Sequence, residues 1–272
     1  MVSWVITGSN RGIGLAFVQR LSSDPTNVIF ALTRNKANST ALRDLESKKD
    51  NVHVLQADIT DVPSLRESAK EVEKRTGGTL DVLINNAAQL TVDRGYWSLD
   101  MYDGKEDLLD EDCNRFIEVN VLGVIKTINV FLPLLRKAAE QSFAKVITIS
   151  SAAGDLDFTS KTGMDYFAPY SISKAAVNMV AAKYAATFKD QNMAFISLSP
   201  GVVNTISDKP KEVQDAVYGK LIKDFRAGCP DWNGVFMLPD ESVAAMLDTI
   251  SKLTSKDSGA FITHRGDTKD WL

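Results

Sequence analysis

Short apolar runs rich in β-branched residues recur along the chain, and helical patterns separate them. The runs are Val2-Ile6, Val28-Leu32, Val52-Gln56, Leu80-Ile84, Lys145-Ser150 and Ala194-Ser199, with a last one around Gly259-Thr263. Runs that are apolar throughout, without alternation, belong to strands buried on both faces, as in a parallel sheet covered by helices. Helices are expected near 12–22, 62–75, 111–138, 168–189 and 239–252. Strand, helix, strand in succession needs right-handed crossovers, so the expected fold is α/β: a doubly wound, mostly or wholly parallel seven-stranded sheet. At 272 residues, with no Pro/Gly/Ser-rich linker, the chain is expected to form a single domain over 1–272.

In such sheets ligands bind beyond the carboxyl ends of the strands, where the winding reverses. Two stretches interrupt the rhythm on that side. One spans 88–110 and includes Arg94-Gly95-Tyr96-Trp97 and Glu106-Asp107; the other spans 202–238. Loops of that length in a compact domain are usually functional or disordered.

Charge and composition remove several function classes. With 31 basic against 35 acidic residues, no excess positive charge is available to neutralise a phosphate backbone, so nucleic acid is not an expected partner. Cys113 and Cys229 are the only cysteines, which fits a reducing compartment. His53 and His264, the only histidines, stand near no Cys or carboxylate cluster, which speaks against zinc and against a Ser-His-Asp hydrolase. The start, Met1-Val2-Ser3-Trp4-Val5-Ile6-Thr7-Gly8, lacks the pattern of a signal peptide, and no run approaches the roughly 20 apolar residues of a membrane span. A cytoplasmic protein with no membrane association is the expectation.

The first strand runs into Thr7-Gly8-Ser9-Asn10-Arg11-Gly12-Ile13-Gly14, and a helical pattern follows at once. Glycines there permit a tight turn and let backbone amides approach a pyrophosphate, and the helix amino terminus adds partial positive charge. This Thr-Gly-xxx-Gly-x-Gly loop resembles that of the classical short-chain dehydrogenase/reductases, whose fold is a Rossmann-type domain. The resemblance implies cofactor contacts from Gly8, Asn10, Arg11, Gly12, Ile13 and Gly14. The second strand ends Leu32-Thr33-Arg34-Asn35, with no carboxylate to meet a ribose hydroxyl. Arg34, with Arg11, offers the planar fork suited to a 2′-phosphate, so NADPH is the expected cofactor.

Further motifs follow in the family's order. Asp58-Ile59 closes the third strand, and the resemblance places the aspartate against the adenine amino group. Asn85-Asn86-Ala87-Ala88 is similar to the family's Asn-Asn-Ala-Gly, with alanine in place of glycine, and implies contacts from Asn86 and Ala87. Pro200-Gly201-Val202-Val203-Asn204-Thr205 resembles the segment covering the nicotinamide, where Val203 and Thr205 would hold the carboxamide.

Tyr170-Ser171-Ile172-Ser173-Lys174 puts Tyr170 and Lys174 one helical turn apart on one face. Carbonyl reduction needs a proton for the developing alkoxide, and an unperturbed tyrosine, with pKa about 10, is a poor donor. A neighbouring ammonium is expected to lower that pKa. The fifth strand ends in Ser150-Ser151-Ala152-Ala153-Gly154, and resemblance to the family's Ser-x-x-Gly makes Ser151 the catalytic serine, with Ser150 as the control position. Asn120 matches the family asparagine whose helix opens locally so that it reaches Lys174 through water. Tyr170 and Lys174 also belong to the implied cofactor contacts.

Together these readings imply an NADPH-dependent oxidoreductase acting on a small-molecule ketone or aldehyde. The alternatives are an NADPH-binding signalling protein with little turnover, or an alcohol dehydrogenase working oxidatively. The ending Gly-Ala-Phe-Ile-Thr with Asp270-Trp271-Leu272 looks like the branch containing the carbonyl reductase Sniffer and the C-factor signalling proteins. Residues 155–168 add a loop between Ser151 and Tyr170, and with 202–238 they are expected on the substrate side. There Phe225, Trp232, Phe236 and Met237 either form an apolar lid or only pack the loop down. A homodimer or homotetramer is compatible with the alanine-rich face of 168–189, which could equally serve the sheet.

Overall fold

Strand β1 (Val2–Thr7) leads through helix α1 (Gly12–Leu21) to β2 (Asn27–Thr33), α2 (Thr40–Lys48), β3 (Val52–Gln56) and α3 (Val62–Thr76). Then come β4 (Val82–Asn85), α4 (Glu106–Ile117), a π-helical segment (Glu118–Leu122), α5 (Gly123–Ala139) and β5 (Ala144–Ile149). The last part contains α6 (Leu156–Thr162), α7 (Ala168–Thr187), β6 (Met193–Ser199), α8 (Lys211–Gly228), α9 (Pro239–Lys252) and β7 (Phe261–Thr263). This computed structural model describes residues 1–90, 93–205 and 210–272, and only the backbone of 213, 216 and 217. Residues 91–92 and 206–209, in the two long excursions, lie outside the described residues.

The seven strands form one sheet in the order β3-β2-β1-β4-β5-β6-β7, and every pairing is parallel. The winding reverses between β1 and β4, which fixes the ligand-binding crevice at their carboxyl ends. Successive strand residues point to opposite faces, so each run feeds two cores. Ile6, Ile84, Ile147 and Ile196 pack against α1 and α9 through Phe17, Val243 and Met246. Val5, Leu83, Val146 and Phe195 pack against α3, α5 and α7 through Leu65, Phe131 and Val177.

Several elements depart from the sequence expectation. Helix α2 buries only Leu42 and so carries little apolar signal. Helices α6 and α8 lie inside segments expected to be loops. The signal for α6 was present: Asp155 caps its amino end by accepting from Phe158 N at 2.7 Å, and Gly163, at φ 62°, closes its carboxyl end. Helix α4 begins at Glu106, ahead of the expected 111, and continues through the π segment into α5. By length and composition that continuous stretch, Glu106–Ala139, would suffice to cross a membrane. Its Ile128, Phe131 and Leu135 are spent on the sheet.

Candidate active site and cofactor cleft

The glycine loop is fastened to the end of β4. The Thr7 hydroxyl accepts from the backbone amides of Asn86 and Ala87, both at 3.0 Å. The Asn86 carboxamide returns the favour, donating to the carbonyls of Thr7 at 3.0 Å and Gly8 at 3.1 Å. Gly8 sits at φ 67°, and a Cβ there would lie 2.7 Å from Ala87 Cα. A side chain at Gly14 would strike the Gly8 carbonyl and the Asn86 amide. These glycines are dictated by backbone approach, and Asn86 holds the loop in shape.

Helix α1 opens with no side-chain cap and no acid in its first turn, so its amides are available to an anion. Across the cleft stands the segment after β6. Ser242 Oγ donates to Pro200 O at 2.6 Å, Gly201 turns at φ 76°, and Val203 forms a parallel bridge with Met237. A Cβ on Gly12 would be 3.6 Å from the Thr205 methyl, so the two walls face each other. Arg11 and Arg34 are exposed, and neither forms an ion pair among the described residues. Lys36, by contrast, is held by Glu46 at 2.9 Å. Asp58 engages one oxygen with Thr60 N and Oγ1, at 2.9 and 2.8 Å. Ile59 is buried against Gly123, so its side chain belongs to the core. The free first-turn amides and two unpaired arginines fit a phosphate-bearing dinucleotide.

Three elements bring the predicted catalytic side chains together. Ser151 follows β5 in extended conformation, and its Oγ accepts from Ala153 N at 3.2 Å. Its hydroxyl faces the Tyr170 phenol, close enough to act on that group's pKa. Ser150, one position earlier, is buried and donates to Asn178 Oδ1 at 2.6 Å. Helix α7 can approach because residue 154 is glycine: a Cβ there would sit 2.8 Å from the Lys174 carbonyl carbon. Lys174 Nζ lies 5.6 Å from the Tyr170 ring centroid and donates to Ile149 O at 2.8 Å.

Asn120 lies within the π-helical segment, which is the local opening expected of its helix. Its carboxamide does not bond Lys174 directly. Oδ1 accepts from Gln89 N at 2.7 Å, while Nδ2 donates to Gln89 O at 3.0 Å and Ser173 Oγ at 2.9 Å. Gln89, Ser173 and Asn178 were missed by sequence reasoning, because their partners are distant along the chain.

The expected direction of the Tyr170 shift is reversed. Tyr170 keeps some surface toward the cleft, yet its surroundings desolvate it and push its pKa above 10.0, and the Ser151 hydroxyl opposes this only in part. Burial likewise lowers Lys174 from 10.5 to about 8. Desolvation favours the neutral form of both groups and is the larger cause for each.

On the substrate side Phe167 holds φ 56°, the one positive φ outside glycine among the described residues. Its amide donates to Gly95 O at 2.8 Å, and its ring packs on Tyr96 with centroids 5.0 Å apart. Arg94 anchors that excursion by pairing with buried Asp112 at 2.8 Å. Helices α6 and α8 meet through Phe158 and Phe225, with centroids 5.4 Å apart, and Tyr166, between α6 and α7, donates to Asp224 of α8 at 2.9 Å. Of the expected lid residues, Phe225 is buried in this cluster, Trp232 packs at its edge and Met237 pairs with the 202–204 backbone.

The family model for short chain dehydrogenase matches residues 3–216. The chain is a short-chain dehydrogenase. Among curated relatives, the short-chain dehydrogenase/reductase atnB of Arthrinium sp is 41% identical over 272 residues, covering 100% of both chains. AacuF of Aspergillus aculeatus is 38% identical, again with 100% of each chain covered. Among solved structures, the NADPH-bound carbonyl reductase from chicken fatty liver is 30% identical, with a TM-score of 0.77 and coverage of 99% and 98%. The putative carbonyl reductase Sniffer of Caenorhabditis elegans is 28% identical, with a TM-score of 0.74 and 98% of each chain covered. This dehydrogenase is therefore an oxidoreductase, and these likenesses are consistent with the carbonyl-reductase branch.

In this dehydrogenase the buried Lys174 carries a stability cost. Its folded pKa, about 8, lies below the ordinary 10.5, so the unfolded chain binds more protons between those values. Stability therefore rises with pH across that window, and below it the full cost of burying the charge is present. The raised pKa of Tyr170 acts oppositely, but only above 10.0. Lys174→Met is expected to gain roughly 1–2 kcal/mol at neutral pH, the relief of desolvation exceeding one lost hydrogen bond. Urea unfolding at two pH values, one below 8 and one above, should show that gain and a flattened pH slope.

Proposed function

We propose that this dehydrogenase is an NADPH-dependent carbonyl reductase that converts a ketone or aldehyde to its alcohol, with Tyr170 as general acid. The carrying observation is the convergence of Ser151, Tyr170 and Lys174: the Ser151 hydroxyl faces the phenol, and buried Lys174 holds its Nζ 5.6 Å from the ring centroid. Bound NADPH supplies the hydride. Ser151 donates to the carbonyl oxygen and fixes its position, and Tyr170 delivers the proton as that oxygen gains charge. Desolvation keeps the Tyr170 phenol protonated at neutral pH, so the proton is in place when a carbonyl binds. Lys174, with a pKa of about 8, then stabilises the phenolate and its reprotonation.

The cofactor reading rests on Arg34 and Arg11 at the rim of the cleft. Arg34 would grip the 2′-phosphate in its planar fork with Arg11 beside it, the first-turn amides of α1 would meet the pyrophosphate, and Asp58 the adenine. The likeness to a carbonyl reductase solved with NADPH supports it. The test is oxidation of NADPH and NADH against a panel of aldehydes and ketones. Arg34→Asp is expected to cut kcat/KM for NADPH by about tenfold to a hundredfold while NADH changes little. A protein that quenches NADPH fluorescence but oxidises it with no carbonyl would overturn the proposal.

A further inference from the structure

We infer that Ser173 is a positioning residue, tying the Asn120 carboxamide, and through it the segment after β4, to the turn of α7 that carries Tyr170. The inference rests on the reading of Tyr170 as proton donor. Ser173 is completely buried. Its hydroxyl donates to Tyr170 O at 2.7 Å and accepts from Asn120 Nδ2 at 2.9 Å. A serine bonding back to the carbonyl three residues earlier is common in helices and weakly unfavourable, and alanine would be the better helix former. What distinguishes Ser173 is the second bond, to a residue 53 positions away.

That bond has a fixed sense. Gln89 N is a donor, so the atom of Asn120 facing it must be the carbonyl oxygen, and the amide nitrogen must face Gln89 O and Ser173. Both Nδ2 protons are thereby used, one on each. Losing the Ser173 hydroxyl strands one of them in a buried site and cuts the carboxamide's bond to α7, while both Gln89 bonds remain. Ser173 and Lys174 are adjacent and point to different sides of α7. Ser173 faces the π segment, while Lys174 reaches Ile149 O at the end of β5. Holding one fixes the rotation of the helix about its axis, and with it the aim of Tyr170 and Lys174 toward Ser151. Because the other end of the connection is the Gln89 backbone, the start of the 88–110 excursion is coupled to the reacting phenol.

The test is a double-mutant cycle with Ser150→Ala as a parallel control. Ser150→Ala also deletes a buried hydroxyl bond between neighbouring elements and α7, so a purely structural contribution would affect both variants alike. Ser173→Ala is expected to lower kcat by about tenfold, within the range misplacement of a reacting group produces. NADPH affinity, read by fluorescence quenching, should stay within about twofold, as should kcat of Ser150→Ala. Asn120→Ala should lower kcat at least as much, and the double variant should be no slower than Asn120→Ala alone, as for groups acting through one connection. Equal kcat in Ser173→Ala and Ser150→Ala, or a double loss equal to the product of the single ones, would overturn the inference. If Tyr170→Phe keeps full turnover, the reading of the acid falls and this inference with it. If Tyr170→Phe is inactive and Ser173→Ala is not slowed, only this inference falls.

Discussion

Tyr170→Phe is expected to lower carbonyl turnover by about two to four orders of magnitude while NADPH continues to bind. The substitution removes one oxygen and keeps the ring, so its edge contact with Phe116, at 6.1 Å between centroids, survives. What disappears is the hydroxyl that faces Ser151 from α7. Stability should change little, because the lost phenol contact is offset by the removal of a desolvated polar group. Cofactor fluorescence separates a chemical defect from a binding defect. Unchanged turnover with NADPH bound would sink the assignment of Tyr170 as the acid.

A comparison of two neighbouring serines gives the second large effect. Ser151→Ala is expected to cost about a hundredfold in kcat, the scale seen when one preorganised donor to a developing oxyanion is deleted. Ser150→Ala should leave turnover nearly unchanged and cost about 1 kcal/mol of stability, the value of an ordinary buried hydrogen bond. The physical difference is which part of α7 each hydroxyl meets. Ser150 is consumed by Asn178, two turns along α7, whereas Ser151 faces Tyr170 in the first turn of that helix. If the two variants lost equal activity, the carbonyl would have to be oriented by something other than Ser151.

The sequence carried the strand ends well, because the crevice of a doubly wound sheet is built there and each short motif sits directly after an apolar run. Gly8, Gly14, Asn86, Ser151 and Pro200 all lie in the segments directly after such strand ends. Helical spacing put Tyr170 and Lys174 on one face, but only their place after a serine at a strand end and beside the glycine loop singled the pair out. Helix α8 was not, since it rests on α6 and not on the sheet, and its pattern has no partner nearby in the chain. The role of Asn86 was legible only in part: it holds the loop, a job visible only once β1 and β4 lie side by side. The direction of the Tyr170 shift was missed because it depends on how much water the finished fold removes, which no local pattern encodes.

The π-helical segment at Glu118–Leu122 holds one residue more than a regular helix would over the same rise. Helices α4 and α5 are thus out of phase with a single continuous spiral by about 100°. Any one-residue deletion between them would mend the backbone ladder and improve the helix as a helix. It would also swing Asn120 away from Gln89 and Ser173, or else rotate α5 off the sheet. Here the length of the chain, more than the identity of any side chain, is what evolution would have to keep constant. Tolerance to substitution and tolerance to deletion should therefore diverge sharply at this one turn.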